Sequence, residues 1–141
     1  MFGLQAEACF DAAHFLAGHS GACRNLHGHR WRIVAELRGG ELAAGGSGRD
    51  MLVDFAGLKQ QLRALAAEFD HKLIYEAGTL RPATLAALRE EDFALAELPF
   101  RPTAERLAQY FYHRLQADGL MVARVTVYET PENCAAYWEA E

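Results

Sequence analysis

Apolar and polar residues alternate from the start of the chain. Phe2, Leu4, Ala6, Ala8, Phe10, Ala12 and His14 fall on one parity, and Gln5, Glu7, Cys9 and Asp11 on the other. That period of two predicts a long half-buried strand. A loop from Ala17 to Leu26 leads to a second alternating run, with His27, His29, Trp31, Ile33, Ala35 and Leu37 on one face and Arg30, Arg32, Glu36 and Arg38 on the other. It ends at Gly39-Gly40. The Gly- and Ala-rich stretch from Glu41 to Asp50 reads as a turn or mobile loop, after which Met51 to Val53 can resume strand pairing. Asp54 is placed to cap a helix. Phe55, Leu58, Leu62, Leu65 and Phe69 then recur at intervals of three and four, predicting an amphipathic helix from Ala56 to about Glu68. Between Lys72 and Pro99 the pattern is weakest, with a short helix over Ala83 to Glu90 and a short strand over Phe93 to Leu98. Pro102-Thr103-Ala104-Glu105 opens a clearer helix that buries Leu107, Phe111 and Leu115 and stops at Asp118-Gly119. In the following strand Met121, Ala123, Val125, Val127 and Glu129 share one parity, and Thr130 to Asn133 turns the chain into a last strand, Ala135 to Trp138. Strands at both ends with two helices between them predict an α+β domain, residues 1–141, in which one antiparallel sheet carries helices on one face.

Composition narrows the function. The 141 residues are 51% hydrophobic, enough for one core, and the net charge of −5 opposes a broad electrostatic grip on nucleic acid or anionic membrane. No apolar run approaches the roughly 20 residues of a membrane span, and Met1 to Phe10 lacks the pattern of a secretory leader, so a cytoplasmic protein is expected. Cys9, Cys23 and Cys134 cannot all pair, which makes free thiols the default. Cys9 and Cys134 read as packing residues.

The chemistry concentrates in a few places. His27-Gly28-His29 sends two imidazoles to the same side of a strand, and a level hairpin between the first two strands brings His14 beside them. Three neutral imidazoles make a zinc site with its fourth position open, as catalytic zinc has. Taken singly, each histidine also fits a hydrogen-bonded core residue. Cys23, four residues before His27, fits three roles: a base or nucleophile whose thiolate is favoured by a metal and by Arg24, a fourth zinc ligand closing a structural site, or a small buried hydrophobe. Asp70-His71 fits a carboxylate–imidazole proton relay, and equally an ordinary helix end. Glu129 lies on the apolar parity of Val125 and Val127, where a carboxylate needs a partner or a donor-rich ligand edge unless the strand simply ends there.

With these residues in view, the chain resembles the 6-pyruvoyl-tetrahydropterin synthase family, and within it the 6-carboxy-tetrahydropterin synthases of queuosine biosynthesis. The resemblance rests on Phe10-Asp11-Ala12-Ala13-His14, Cys23-Arg24-Asn25-Leu26-His27-Gly28-His29, Met51-Leu52-Val53-Asp54-Phe55, Asp70-His71, Pro102-Thr103-Ala104-Glu105 and Tyr128-Glu129-Thr130. It implies a tunnelling fold (β-β-α-α-β-β) assembled into a multi-subunit barrel, commonly a homo-hexamer. It further implies zinc on His14, His27 and His29, Cys23 as the proton-abstracting base, and Asp70 and His71 assisting. Glu129 is implied as the pterin anchor, with a share in the proton relay, and Thr103 as a second contact to the heterocycle. The implied reaction turns 7,8-dihydroneopterin triphosphate into 6-carboxy-5,6,7,8-tetrahydropterin with loss of acetaldehyde and triphosphate. The three-residue gap between Cys23 and His27 favours this branch over the pyruvoyl-forming one, and a non-catalytic zinc-stabilised module with Cys23 as fourth ligand is the other alternative. Arg24, Arg30, Arg32 and Lys72 are candidates for holding triphosphate. Tyr75 and Arg106 replace asparagines common in the family, and the Lys72 to Arg101 segment is longer than in compact members.

Overall fold

The computed structural model describes residues 1–140. Strands β1 (Phe2–His14) and β2 (His27–Gly39) form an antiparallel ladder that pairs every residue of both, from Phe2 opposite Gly39 to His14 opposite His27. The predicted parity holds along both strands: Ala6, Ala8, Phe10 and Ala12 of β1 and Trp31, Ile33, Ala35 and Leu37 of β2 are buried on one face. Two helices cover it. In α1 (Phe55–Ala67) the Asp54 side chain accepts a hydrogen bond from Ala56 N at 2.8 Å, and Leu58, Leu62 and Leu65 turn inward. An N-cap of this kind contributes about 1 kcal/mol. Helix α1 is followed by β3 (Lys72–Glu76), α2 (Pro82–Glu90) and β4 (Leu95–Leu98). Then come α3 (Ala104–Ala117), β5 (Val122–Tyr128) and β6 (Cys134–Tyr137). Helix α3 buries Leu107, Ala108, Phe111 and Leu115. Phe10, Phe69 and Phe111 meet with ring centroids 5.4 to 6.2 Å apart, and Arg114 of α3 clasps the Glu68 carboxylate through both terminal nitrogens, at 2.7 and 2.8 Å. The core therefore lies between one sheet face and the α1/α3 pair, as the helical stripes require.

The α+β class is the expected one, and the differences lie at the edges. The sheet has six strands in the order β4-β3-β1-β2-β5-β6, and β3 lies parallel to both β1 and β4, so it is mixed rather than wholly antiparallel. The alternation of Lys72–Glu76 is too short to announce β3. Nor is α2 part of the α1/α3 layer: its Leu88 shares a hollow with Ala13 and Arg30 on the opposite face of the sheet, and its residues are not buried. Met51 to Val53 form no strand. The loop before them closes on itself instead, Ala43 N donating to Met51 O and Asp50 N to Ala43 O, with Asp50 in the left-handed region at φ 65°. Met121 and Ala123 do not join the buried parity of β5. A shift of register at Glu36/Leu37 places Val122 opposite Leu37, so Val122 is buried and Met121 is 67% exposed; a β-bulge moves the chain across the pleat in this way. Cys9 and Cys134 are exposed rather than packed inside, because both sit at strand positions facing away from the core. Among the described residues no helix is long and apolar enough to cross a membrane.

Candidate metal centre and proton-relay site

The level end of the β1/β2 hairpin determines the centre. His14 closes β1, His27 opens β2, and His29 follows two residues later on the same face, so their three rings lie with centroids 4.5 to 5.2 Å apart. Glu129, one residue beyond β5, joins them. Its Oε1 is 3.2 Å from His14 Nε2 and 3.3 Å from His29 Nε2, and one ligand atom from each of the four residues lies within 4.8 Å of all the others. Two carbonyls orient the rings. His14 Nδ1 donates to Pro102 O at 2.9 Å, from the segment entering α3, and His27 Nδ1 donates to Asn25 O at 2.6 Å. Trp31 walls the site beneath, its ring edge-on to His14 at 4.8 Å and to His29 at 5.4 Å. The indole itself is held by a hydrogen bond to Ala12 O.

This arrangement carries an electrostatic demand. With the Nδ1 protons of His14 and His27 committed to carbonyls, both Nε2 atoms present lone pairs, yet they face each other at 3.1 Å. Glu129 adds a carboxylate oxygen. His29 Nε2 is buried and has no aligned hydrogen-bond partner in spite of its nearness to Glu129. Burial disfavours resolving this with a proton: desolvation of the fully enclosed His14, helped by His27 and His29, lowers its pKa to about 4, and desolvation lowers that of His29 as well. Several converging acceptors that resist protonation could hold a metal cation.

The Asp70–His71 pair lies apart from this cluster, in the turn after α1. Asp70 Oδ2 meets His71 Nδ1 at 2.8 Å, and both side chains are exposed, His71 at 78%. A backbone hydrogen bond from Asp11, followed by that from His71, holds the Asp70 carboxyl below its ordinary range, while Asp70 raises the imidazole above its own. A cavity of about 650 Å³ reaches from His71 to His29, floored by Ala13 and Gly28 and bounded by Leu88 and Phe93. A second hollow, of about 610 Å³, opens on the other side of Gly28 and His29 and contains Arg32, Tyr128, Glu129 and Thr130. Cys23 occupies a single 3-10 turn, Ala22–Arg24, with its carbonyl accepting from Leu16 N. Its thiol is not among the atoms gathered with the three imidazoles. Thr103 caps α3, its hydroxyl accepting from Arg106 N at 3.2 Å, one residue from the carbonyl that orients His14. Arg30 is paired with Asp11 and Arg32 with Glu7, so neither is a free cation here. The sequence pattern gives no hint of the carbonyls of Pro102 and Asn25, because a backbone acceptor has no residue signature.

Solved structures with the same architecture include an uncharacterized protein from Wolinella succinogenes, with a TM-score of 0.82 at 21% identity covering 99% of this chain and 98% of that one. Another is the 6-pyruvoyltetrahydropterin synthase of Plasmodium vivax, with a TM-score of 0.71 at 21% identity covering 98% and 97%. At such identities the likeness concerns the fold. Sequence relatives are nearer. The 6-carboxy-5,6,7,8-tetrahydropterin synthase of Haemophilus influenzae is 34% identical over 142 residues, covering 99% of this chain and all of the relative. The protein of the same description from Aquifex aeolicus is 34% identical over 127 residues, covering 83% and 76%. The family described as 6-pyruvoyl tetrahydropterin synthase matches residues 3–140, and with that match spanning both ends of the sheet and the helices between them, the chain belongs to this family.

Proposed function

We propose that the chain is a zinc-dependent lyase that converts 7,8-dihydroneopterin triphosphate and one water to 6-carboxy-5,6,7,8-tetrahydropterin, acetaldehyde and triphosphate, as a step of queuosine biosynthesis in the cytoplasm. The observation that carries the reading is the convergence of His14, His27, His29 and Glu129 on one point, within a chain a third identical to a relative of that name over its whole length. Two opposed imidazole lone pairs and an unpartnered buried ring nitrogen form a three-imidazole donor set suited to zinc, with the Glu129 carboxylate beside it. His14, His27 and His29 would hold it. Bound there, zinc supplies Lewis acidity toward the side-chain hydroxyls of the pterin, easing loss of the adjacent protons.

The protein's own groups do the remaining work. Glu129 opens onto the hollow shared with Tyr128 and Thr130, and its carboxylate can accept two hydrogen bonds from the 2-amino and ring N–H edge of the heterocycle. Thr103 keeps its hydroxyl proton available for a further contact, since its oxygen only accepts in capping α3. Cys23 is the base that takes a proton from the substrate side chain. His71, biased toward its protonated form by Asp70, returns or removes protons on the side of the larger cavity. The position of Cys23 outside the imidazole cluster supports its role as base over that of a fourth ligand closing a structural site. The short spacing from Cys23 to His27 supports the carboxy-forming branch. Product analysis after incubation with dihydroneopterin triphosphate tests the reading. Acetaldehyde and triphosphate released in equal amounts are expected. Triphosphate without acetaldehyde assigns the pyruvoyl-forming reaction, and no turnover by zinc-loaded protein assigns a non-catalytic module.

A further inference from the structure

By its pattern Asp11 is one more polar residue on the outward parity of β1. In the structure three elements meet on it. Its backbone N–H donates to Asp70 Oδ1 at 2.9 Å, and its carbonyl accepts from His71 N at 2.6 Å, so a single peptide segment grips both members of the pair. Its carboxylate Oδ2 accepts from Arg30 Nη1 at 3.0 Å, directly across the β1/β2 ladder and one residue from His29. His71 needs such a hold. It sits in the left-handed region at φ 56°, a conformation uncommon for a residue with a side chain and retained only where the surroundings enforce it. The hydrogen bond to the Asp11 carbonyl fixes that backbone while the ring turns back onto Asp70.

We propose that Asp11 is the positioning residue of the Asp70–His71 pair: its backbone fixes the two partners, and its carboxylate, anchored by Arg30, places a second negative charge beside the imidazole. This rests on the reading of that pair as the proton relay of the site. The charged surroundings of His71 are few. Asp70 is its direct partner, Asp11 approaches from β1, Arg30 from β2 acts on Asp70, and Lys72 follows in the chain. Arg63 of α1 shares a small hollow with Asp70 and Arg30. The α2 and β4 side of the cavity presents apolar groups, Leu88, Phe93 and Leu95. Asp70 is the main influence raising His71, and the charge of Asp11 acts in the same direction.

The isosteric change Asp11→Asn preserves both backbone bonds and removes only the charge. In zinc-loaded protein carrying labelled histidine, the His71 titration midpoint followed by NMR is expected to fall. The alkaline limb of the turnover profile, set by loss of the His71 proton, should move the same way, lowering kcat at and above neutral pH with KM unchanged. Arg30→Gln removes a cation from the same network and should move the midpoint upward; a general loosening of the turn would lower it in both variants. An unchanged His71 midpoint in Asp11→Asn, or a downward shift in both variants, overturns the role given to Asp11. A lowered midpoint with turnover unaltered at every pH instead overturns the proton-relay reading on which the proposal stands.

Discussion

Acidifying the metal-free protein should reveal the cost of enclosing His14. The ring is fully buried and its pKa lies at about 4, against 6.5 for the free side chain. In the unfolded chain it takes up a proton as pH falls through 6.5, whereas in the folded protein it does not until about pH 4. The unfolded state therefore binds more protons across this window. Stability from His14 is complete above pH 6.5 and is lost progressively down to about 4. At about 1.4 kcal/mol per pH unit this amounts to about 3 kcal/mol, a large share of the stability of an ordinary domain. The measurement is urea unfolding of chelator-treated protein at one fixed protein concentration and at several pH values between about 7 and 4.5. The same series on His14→Phe provides the reference, because a ring of similar size fills the site without titrating. Carboxylates common to both proteins cancel in the difference. The native protein should lose about 2 to 3 kcal/mol more than the variant over this range. Parallel decline of the two, with a difference below about 1 kcal/mol, would refute the argument that the buried imidazole is held neutral by desolvation. Restoring zinc should raise stability near neutral pH, since a ligand bound only by the folded state adds to it by mass action.

Three further outcomes follow from the same geometry. His27→Ala leaves two imidazoles and should sharply lower zinc content, measured by elemental analysis, and abolish turnover; full zinc occupancy would contradict the ligand assignment. Cys23→Ser should retain zinc and pterin binding while losing turnover by orders of magnitude, because an alcohol is a poor base near neutral pH; loss of zinc together with loss of fold would reassign Cys23 as a ligand. Strand β3 covers only Ala12 to His14 of β1, leaving the edge from Phe2 to Phe10 without a strand partner among the described residues, so sedimentation should find a multi-subunit particle, the expected state being a homo-hexamer. A stable, active monomer at micromolar concentration would exclude it.

The elements with strong periodicity are legible in the residue pattern alone. The parity of β1 and β2 depends only on which side chains avoid water, and the stripes of α1 and α3 with their Asp54 and Thr103 caps are local chemistry. With the hairpin ends level, the same parity aligns His14 with His27 and His29. What required the tertiary structure is long-range. Strand β3 is five residues long and buries Ile74 and Tyr75 on successive positions, the Tyr75 hydroxyl donating to Glu97 of β4, so it shows no alternation to read. The bulge opposite Leu37 reverses the parity of β5 at its start, and a register shift leaves no mark on composition. At the site, residue types announce the donors, but their orientation comes from the carbonyls of Pro102 and Asn25. The grip of Asp11 on Asp70 and His71 is likewise a backbone contact. Side-chain chemistry is written in the sequence, whereas backbone hydrogen bonds between distant segments exist only after the chain has folded.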